Sequence, residues 1–179
     1  MTPSDLSLLL VLGSADSGPA TVAEIVAIAR YIAPTDWQPT GDVIRLAVDR
    51  AHQEGLLAPG EPTVAGLATW ETTASGRLQI CRLLRKPCPP THGGFTRACM
   101  SAKVCLLNYL PQPERRGQVQ ALAHLFQEAI RSLKRLDASS PFVAGPALQD
   151  ARGELLRLES ELAWLEGARA WEAMPRAAE

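Results

Sequence analysis

Apolar residues fall along this chain in runs whose spacing names the elements. Leu6 to Leu12 is apolar but for Ser7 and predicts a short buried helix ended by Gly13. Gly18-Pro19-Ala20 reads as a turn. Thr21-Val22-Ala23-Glu24 has capping-box spacing, since a threonine oxygen can take the amide three residues on while the glutamate reaches back. A second helix over 22–31 follows, burying Ile25, Ile28, Ala29 and Ile32 and stopped by Pro34. Thr40 caps a third, whose apolar face is Ile44, Val48 and Ala51. Gly55 is placed to close it in the left-handed conformation, with Leu56 and Leu57 folding back. Pro59 to Pro62 is a turn or loop tip. Leu67 to Thr72 alternates and is rich in β-favouring residues, which predicts a strand paired with Leu57-Ala58. Thr73 then caps a fourth helix through Leu78, Cys81 and Leu84. Three helices, a hairpin and a helix are the layout of a winged helix-turn-helix.

Lys86 to Gly94 holds three prolines and two glycines and cannot continue a helix. It divides the chain into a winged-helix domain (1–87), a Pro/Gly-rich linker (88–94) and a helical domain (95–179). In the latter, the pattern predicts a helix over 96–110, stopped by Pro111 and Pro113, and a long helix over 114–136. That helix carries Val119, Leu122, Phe126, Ala129, Leu133 and Leu136. After a loop at 137–145, a last helix over 146–171 repeats the spacing with Leu148, Ala151, Leu155, Leu158, Leu162 and Leu165. Such seams want partner helices. One can satisfy the other within a chain, but Trp164, Leu165 and Trp171 remain for a second subunit. The expected dimer surface is therefore Leu148, Leu155, Leu158, Leu162, Leu165, Trp164 and Trp171. The fold class is mainly α: an N-terminal winged helix-turn-helix with a small β-hairpin wing, then a long-helix dimerisation domain.

Four segments in order resemble the PadR-like winged-helix transcriptional regulators. LSLLLVLGSADSGPATVAEIV is similar to that family's first helix and the turn into its second, and DRAHQEGLL to the close of its recognition helix. WETTASGRLQICRLL is similar to the returning wing strand and fourth helix, and ELAWLEG to the end of the dimerisation helix. The resemblance covers nearly the whole chain. It implies a homodimeric regulator, a repressor as a rule, whose third helix enters the major groove of double-stranded DNA. It also implies a small aromatic effector near the dimer interface, and no catalysis. Where the family carries a recognition-helix tyrosine, this chain has Arg45.

Charge sharpens the choice of DNA contacts. The 179 residues carry a formal charge of −1, no footprint of a nucleic-acid binder. From Leu56 to Gly76 there is no Lys or Arg at all. Arg45 and Arg50 lie off the Ile44/Val48/Ala51 face and are the best candidates for DNA, each with an acidic neighbour in Asp42 or Asp49. Thr40 and the amides of Gly41 and Asp42 could meet a phosphate at the helix N-terminus; plain capping is the other reading. The alternative function is a winged-helix protein without DNA binding, serving as a protein-interaction or small-molecule module.

Other chemistry is thinly represented. Cys81, Cys88, Cys99 and Cys105 have six, ten and five residues between them, matching no zinc or thioredoxin-like spacing. Cys81, Cys99 and Cys105 fall in apolar helical stretches where cysteine packs as a small hydrophobe. Cys88 sits in the Pro-rich loop as the one candidate reactive thiol, with His92 nearby. His52, His92 and His124 have no nucleophile or carboxylate pair placed beside them, and no Gly-rich phosphate loop follows a strand. No enzyme activity, cofactor or metal is expected. No run is long enough to span a bilayer, and no secretory leader precedes Leu6, so a cytoplasmic protein without membrane contact is expected.

Overall fold

A computed structural model describes residues 1–33, 37–89, 93–139 and 146–173, with side chains described outside 136–151 and 168–173. The elements are α1 (Pro3–Asp16), α2 (Val22–Ile32), α3 (Gly41–Gln53), β1 (Leu57–Pro59), β2 (Trp70–Thr72), α4 (Ala74–Arg85), α5 (Gly94–Leu106), α6 (Gln112–Ser139) and α7 (Pro146–Ala173). This is the expected mainly helical class with a winged helix-turn-helix at its start. The chain divides into two compact units, Met1–Pro111 and Gln112–Glu179.

Helix α1 is the axis of the first unit. A helix apolar on every side must be enclosed, and Leu6, Leu9, Leu10, Val11 and Leu12 are all buried, with α2, α3, α4, α5 and β2 around them. It outruns the predicted span at both ends. Thr2 and Asp5 form a capping box, with Thr2 Oγ1 accepting from the Asp5 amide at 3.2 Å and Asp5 Oδ2 from the Thr2 amide at 2.9 Å. Gly13 does not stop the helix, which runs on to Asp16. A Cβ at Gly13 would stand 2.8 Å from the Leu106 methyls, so the missing side chain admits α5. Asp16 then accepts from Arg77 Nε at 2.7 Å and from the Tyr109 hydroxyl, tying α1 to α4 and to the 3-10 turn Leu107–Tyr109. Burial, with that hydrogen bond, raises the Tyr109 hydroxyl to about 12.

Helix α2 starts at the expected capping box, Thr21 with Glu24. It buries Ile25 and Ala29, but Ile28 is 38% exposed, because the inward stripe is narrower than the sequence allows. Pro34, named as its stop, lies outside the described residues. Helix α4 runs where the sequence places it; on it Leu78 is exposed and Cys81 half-buried, while Gly76, Ile80, Leu83 and Leu84 are buried. The cause is Gly76, whose Cβ would stand 2.3 Å from the Leu56 carbonyl oxygen. That contact turns Ile80 and Leu83 inward.

The wing pairs Leu57 with Thr72, Ala58 with Glu71 and Pro59 with Trp70, antiparallel. It is shorter than predicted, because Leu67 to Thr69 belong to the loop. There Gly66, at φ +75°, closes a turn whose Thr63 amide donates to the Leu67 carbonyl at 3.0 Å. Trp70 also exchanges backbone bonds with Ala20 at 2.9 and 3.0 Å, a third sheet position not foreseen. The buried Thr72 hydroxyl donates to the Leu12 carbonyl at 2.7 Å, anchoring the wing to α1.

Helix α5 begins and ends earlier than predicted, the 3-10 turn occupying its expected last residues. It packs on α1 and α2 and belongs to the first unit, although the proline-rich divide suggested it opens the second. Lys103, 2% exposed, donates from Nζ to the Leu84 carbonyl at 2.7 Å and also to that of Lys86, capping the end of α4. Burial pushes its ammonium pKa down.

In the second unit α6 and α7 pack together. Val119, Leu122, Phe126 and Ala129 of the predicted stripe are buried on α6, with Ala123 and Ile130 added; Leu133 is half-buried, and the side chain of Leu136 lies outside the described residues. Pro113 does not precede α6 but lies in its first turn, where a missing N–H breaks no helical bond. Lys134 Nζ meets Glu159 Oε1 at 2.7 Å between the helices.

Candidate nucleic-acid interface

Three buried residues aim helix α3. Ile44, Val48 and Ala51 lock its inner stripe, which leaves Asp42, Val43, Arg45, Leu46, Asp49 and Arg50 exposed. At its start Thr40 Oγ1 accepts from the Val43 amide at 3.4 Å, so the Thr40 oxygen serves as a helix cap. Gly41 and Asp42 form the first turn, whose amides have no intrahelical partner. Gly55, at φ +69°, ends the segment as expected, and the Leu56 amide donates back to Ala51 at 2.8 Å.

The two candidate arginines differ. Arg50 Nε donates to Glu54 Oε1 at 2.7 Å, and that hydrogen bond holds its pKa above the ordinary value. The side chain of Arg45, one turn nearer the N-terminus, has no hydrogen bond or ion pair among the described residues. Of the two, Arg45 is the cation available to a new anionic partner.

The wing supplies no positive charge, and its tip is apolar: Val64 is fully exposed and Leu67 is 58% exposed. On α3, Leu46 is 71% and Val43 45% exposed. These four side chains were absent from the sequence-based site. Their signal was present, since Val43 and Leu46 fall off the Ile44/Val48/Ala51 face. At the wing base His52 packs tilted against Trp70, with centroids 4.8 Å apart, and its Nδ1 lies 3.3 Å from the Leu57 carbonyl.

The chain is similar in fold to solved structures of transcriptional regulators, though at low identity. PadR from Bacillus subtilis in complex with operator DNA has 16% identity and a TM-score of 0.43, with 92% of this chain and 97% of that one covered. A PadR-like regulator from Bacillus cereus has 12% identity and a TM-score of 0.42 over 92% and 96%. The virulence activator AphA from Vibrio cholerae has 16% identity and a TM-score of 0.38 over 93% and 96%. No family model and no curated protein matches the sequence.

The remaining sequence candidates separate as follows. Leu158 and Leu165 are buried and Leu155 and Leu162 half-buried within the single chain. Among the described side chains of α7, Trp164, at 54%, and Leu156, at 68%, are the large apolar groups left exposed. The side chains of Leu148 and Trp171 lie outside the described residues, as does His92. Cys99 is buried and Cys81 half-buried, but Cys105 is exposed, turned away by the packing of α5. Burial pushes the Cys88 thiol pKa up, the opposite of what a reactive thiolate needs. Among the described residues no cluster of three His, Cys, Asp or Glu could hold a metal ion, and no helix is long and apolar enough to cross a membrane.

Proposed function

We propose that this protein is a DNA-binding transcriptional regulator, a cytoplasmic homodimer without catalytic activity that places α3 in the major groove. The observation that carries this is the combination of a winged helix-turn-helix with an exposed, unpaired Arg45 near the N-terminal part of α3, where base edges are reached. A repressor role and response to a small aromatic effector complete the reading, as the resemblance of its sequence segments to the PadR-like regulators implies. Two copies of α3 in a dimer would sit about 34 Å apart, one turn of duplex. Fluorescence anisotropy with the DNA upstream of its own gene tests the proposal. Binding should weaken as salt rises, with a shallow slope of roughly −0.9 per phosphate neutralised, and footprinting should reveal a pseudo-palindrome. Absence of binding at low salt overturns it.

The apolar exposure of Val43, Leu46, Val64 and Leu67 favours a second reading: a winged helix that recognises a protein or small molecule instead. Its mark is binding that survives high salt.

A further inference from the structure

Helix α5 turns one buried face toward the chain that leaves α4. Thr96, Cys99 and Lys103 share that face at spacings of three and four. The chain opposite is Lys86-Pro87-Cys88-Pro89. A residue before proline is kept out of the helical region, and both Lys86 and Cys88 stand before one. The segment therefore leaves α4 extended, with Lys86 at ψ 135°.

Two hydrogen-bonded ties fasten this segment to α5. At one end Lys103 Nζ donates to the Leu84 carbonyl at 2.7 Å and to that of Lys86. At the other the Thr96 hydroxyl donates to the Pro89 carbonyl at 3.5 Å. In that order the ties lay the segment antiparallel along the helix. Three extended residues cover about 9 Å, and seven helical residues about 10 Å, so the two run side by side with little slack. Cys88 lies between the tied carbonyls and Cys99 between the tied side chains. Cys99 is fully buried, and half-buried Cys88 packs against the same core. The two thiols also act on each other electrostatically. The other cysteines stand apart: Cys81 Sγ donates to the Tyr109 carbonyl at 3.1 Å, and Cys105 is exposed.

We infer that Cys88 and Cys99 are an oxidisable dithiol, converted by a hydroperoxide to a disulfide that joins the segment after α4 to α5. Half-buried Cys88 meets the oxidant. Its sulfur takes one oxygen of hydrogen peroxide, the O–O bond breaks, and the other oxygen leaves as water, which leaves Cys88 a sulfenic acid. The sulfur of Cys99 then displaces that oxygen. An S–S bond forms, the S–O bond breaks, and a second water carries off the Cys99 proton. The thiols give up two electrons and the peroxide becomes two waters. Burial holds both thiols protonated, Cys99 pushed up to about 12, although the Lys103 ammonium favours the thiolate of each. The pair therefore reacts slowly and answers sustained oxidation. The site is independent of the regulator reading.

Peptide mapping of the full chain after hours in millimolar hydrogen peroxide and alkylation of the remaining thiols tests the inference. The chain should lose the mass of two hydrogens, its Cys88 and Cys99 peptides should be linked, and dithiothreitol should restore both thiols. Cys88→Ser should abolish the internal link, while Cys81→Ser and Cys105→Ser should leave it unchanged. The link is read in the parent chain itself, so the result does not hang on how a variant folds. Cys88 driven on to the sulfinic acid beside a Cys99 still alkylatable would show that the sulfurs do not meet, and would overturn the inference. Bridges found only through Cys81 or Cys105 overturn it too, as does a chain left with all four thiols.

Discussion

Arg45 and Gly76 show how one side chain, or its absence, can fix what a surface or a helix does. Arg45 projects from α3 with no partner, while Arg50 is held by Glu54. In a chain with so few cations on this face, contacts cannot be spread thinly. Arg45→Ala should therefore cost roughly 1–3 kcal/mol of DNA affinity, with specificity relaxed at one position per half-site if it reads a base. Circular dichroism should show the helices unchanged; equal binding by the variant would remove the main residue of the regulator reading. Gly76 acts on packing instead. Its Cβ position lies 2.3 Å from the Leu56 carbonyl oxygen and 2.7 Å from the Thr72 methyl, so neither neighbour can yield cheaply. Gly76→Ala should destabilise the protein by about 1–3 kcal/mol. Gly117, in α6, has open space at its Cβ, and Gly117→Ala should stabilise by about 0.5–1 kcal/mol through helix propensity. Urea denaturation of the two variants checks both signs.

At the scale of elements, caps were the most legible feature and faces the least. Thr21, Thr40 and Thr73 each cap the helix they were expected to cap, because a cap is a local bond within four residues. The Thr2–Asp5 box at α1 was overlooked because the apolar run beginning at Leu6 drew the boundary. Its carboxylate is also a pH sensor. Burial raises the Asp5 pKa, but hydrogen bonds from Lys86 and Thr2 outweigh it and leave the pKa below its ordinary 3.8. A lowered carboxyl pKa contributes stability above 3.8, lost as pH falls through the folded value. The Lys86 partner is half exposed, so solvent screening leaves most of the effect to the cap. Asp5→Asn should cost about 1 kcal/mol at neutral pH, and the difference from the parent should shrink toward zero in acid. A gap that persists unchanged at pH 2 would show that the charge is not what matters.

For the whole molecule, the open matter is what covers the outer face of α7. The seam expected to join two subunits is already used in part, since Leu158 and Leu165 are buried within one chain. Trp164 and Leu156 remain exposed on this helix, and exposed tryptophan is enriched at interfaces. A dimer should thus form through Trp164 and Leu156, and replacing both with glutamate should yield a monomer of unchanged helix content. Leu158→Glu should instead unfold the α6–α7 pair, because a charge would be buried without a partner. Sedimentation at micromolar concentration checks these outcomes, and a monomeric parent protein would exclude the dimer. What the sequence determined by itself was whatever rests on neighbours in the chain: the order of helices and wing, the threonine caps, the turn at Gly55 and the core stripe of α3. Only the tertiary structure decided the course of α1 through Gly13, the buried face of α4 at Gly76 and the packing of α5 with the first unit. Each depends on a group distant in sequence, Leu106, Leu56 or α1, arriving at a particular spot.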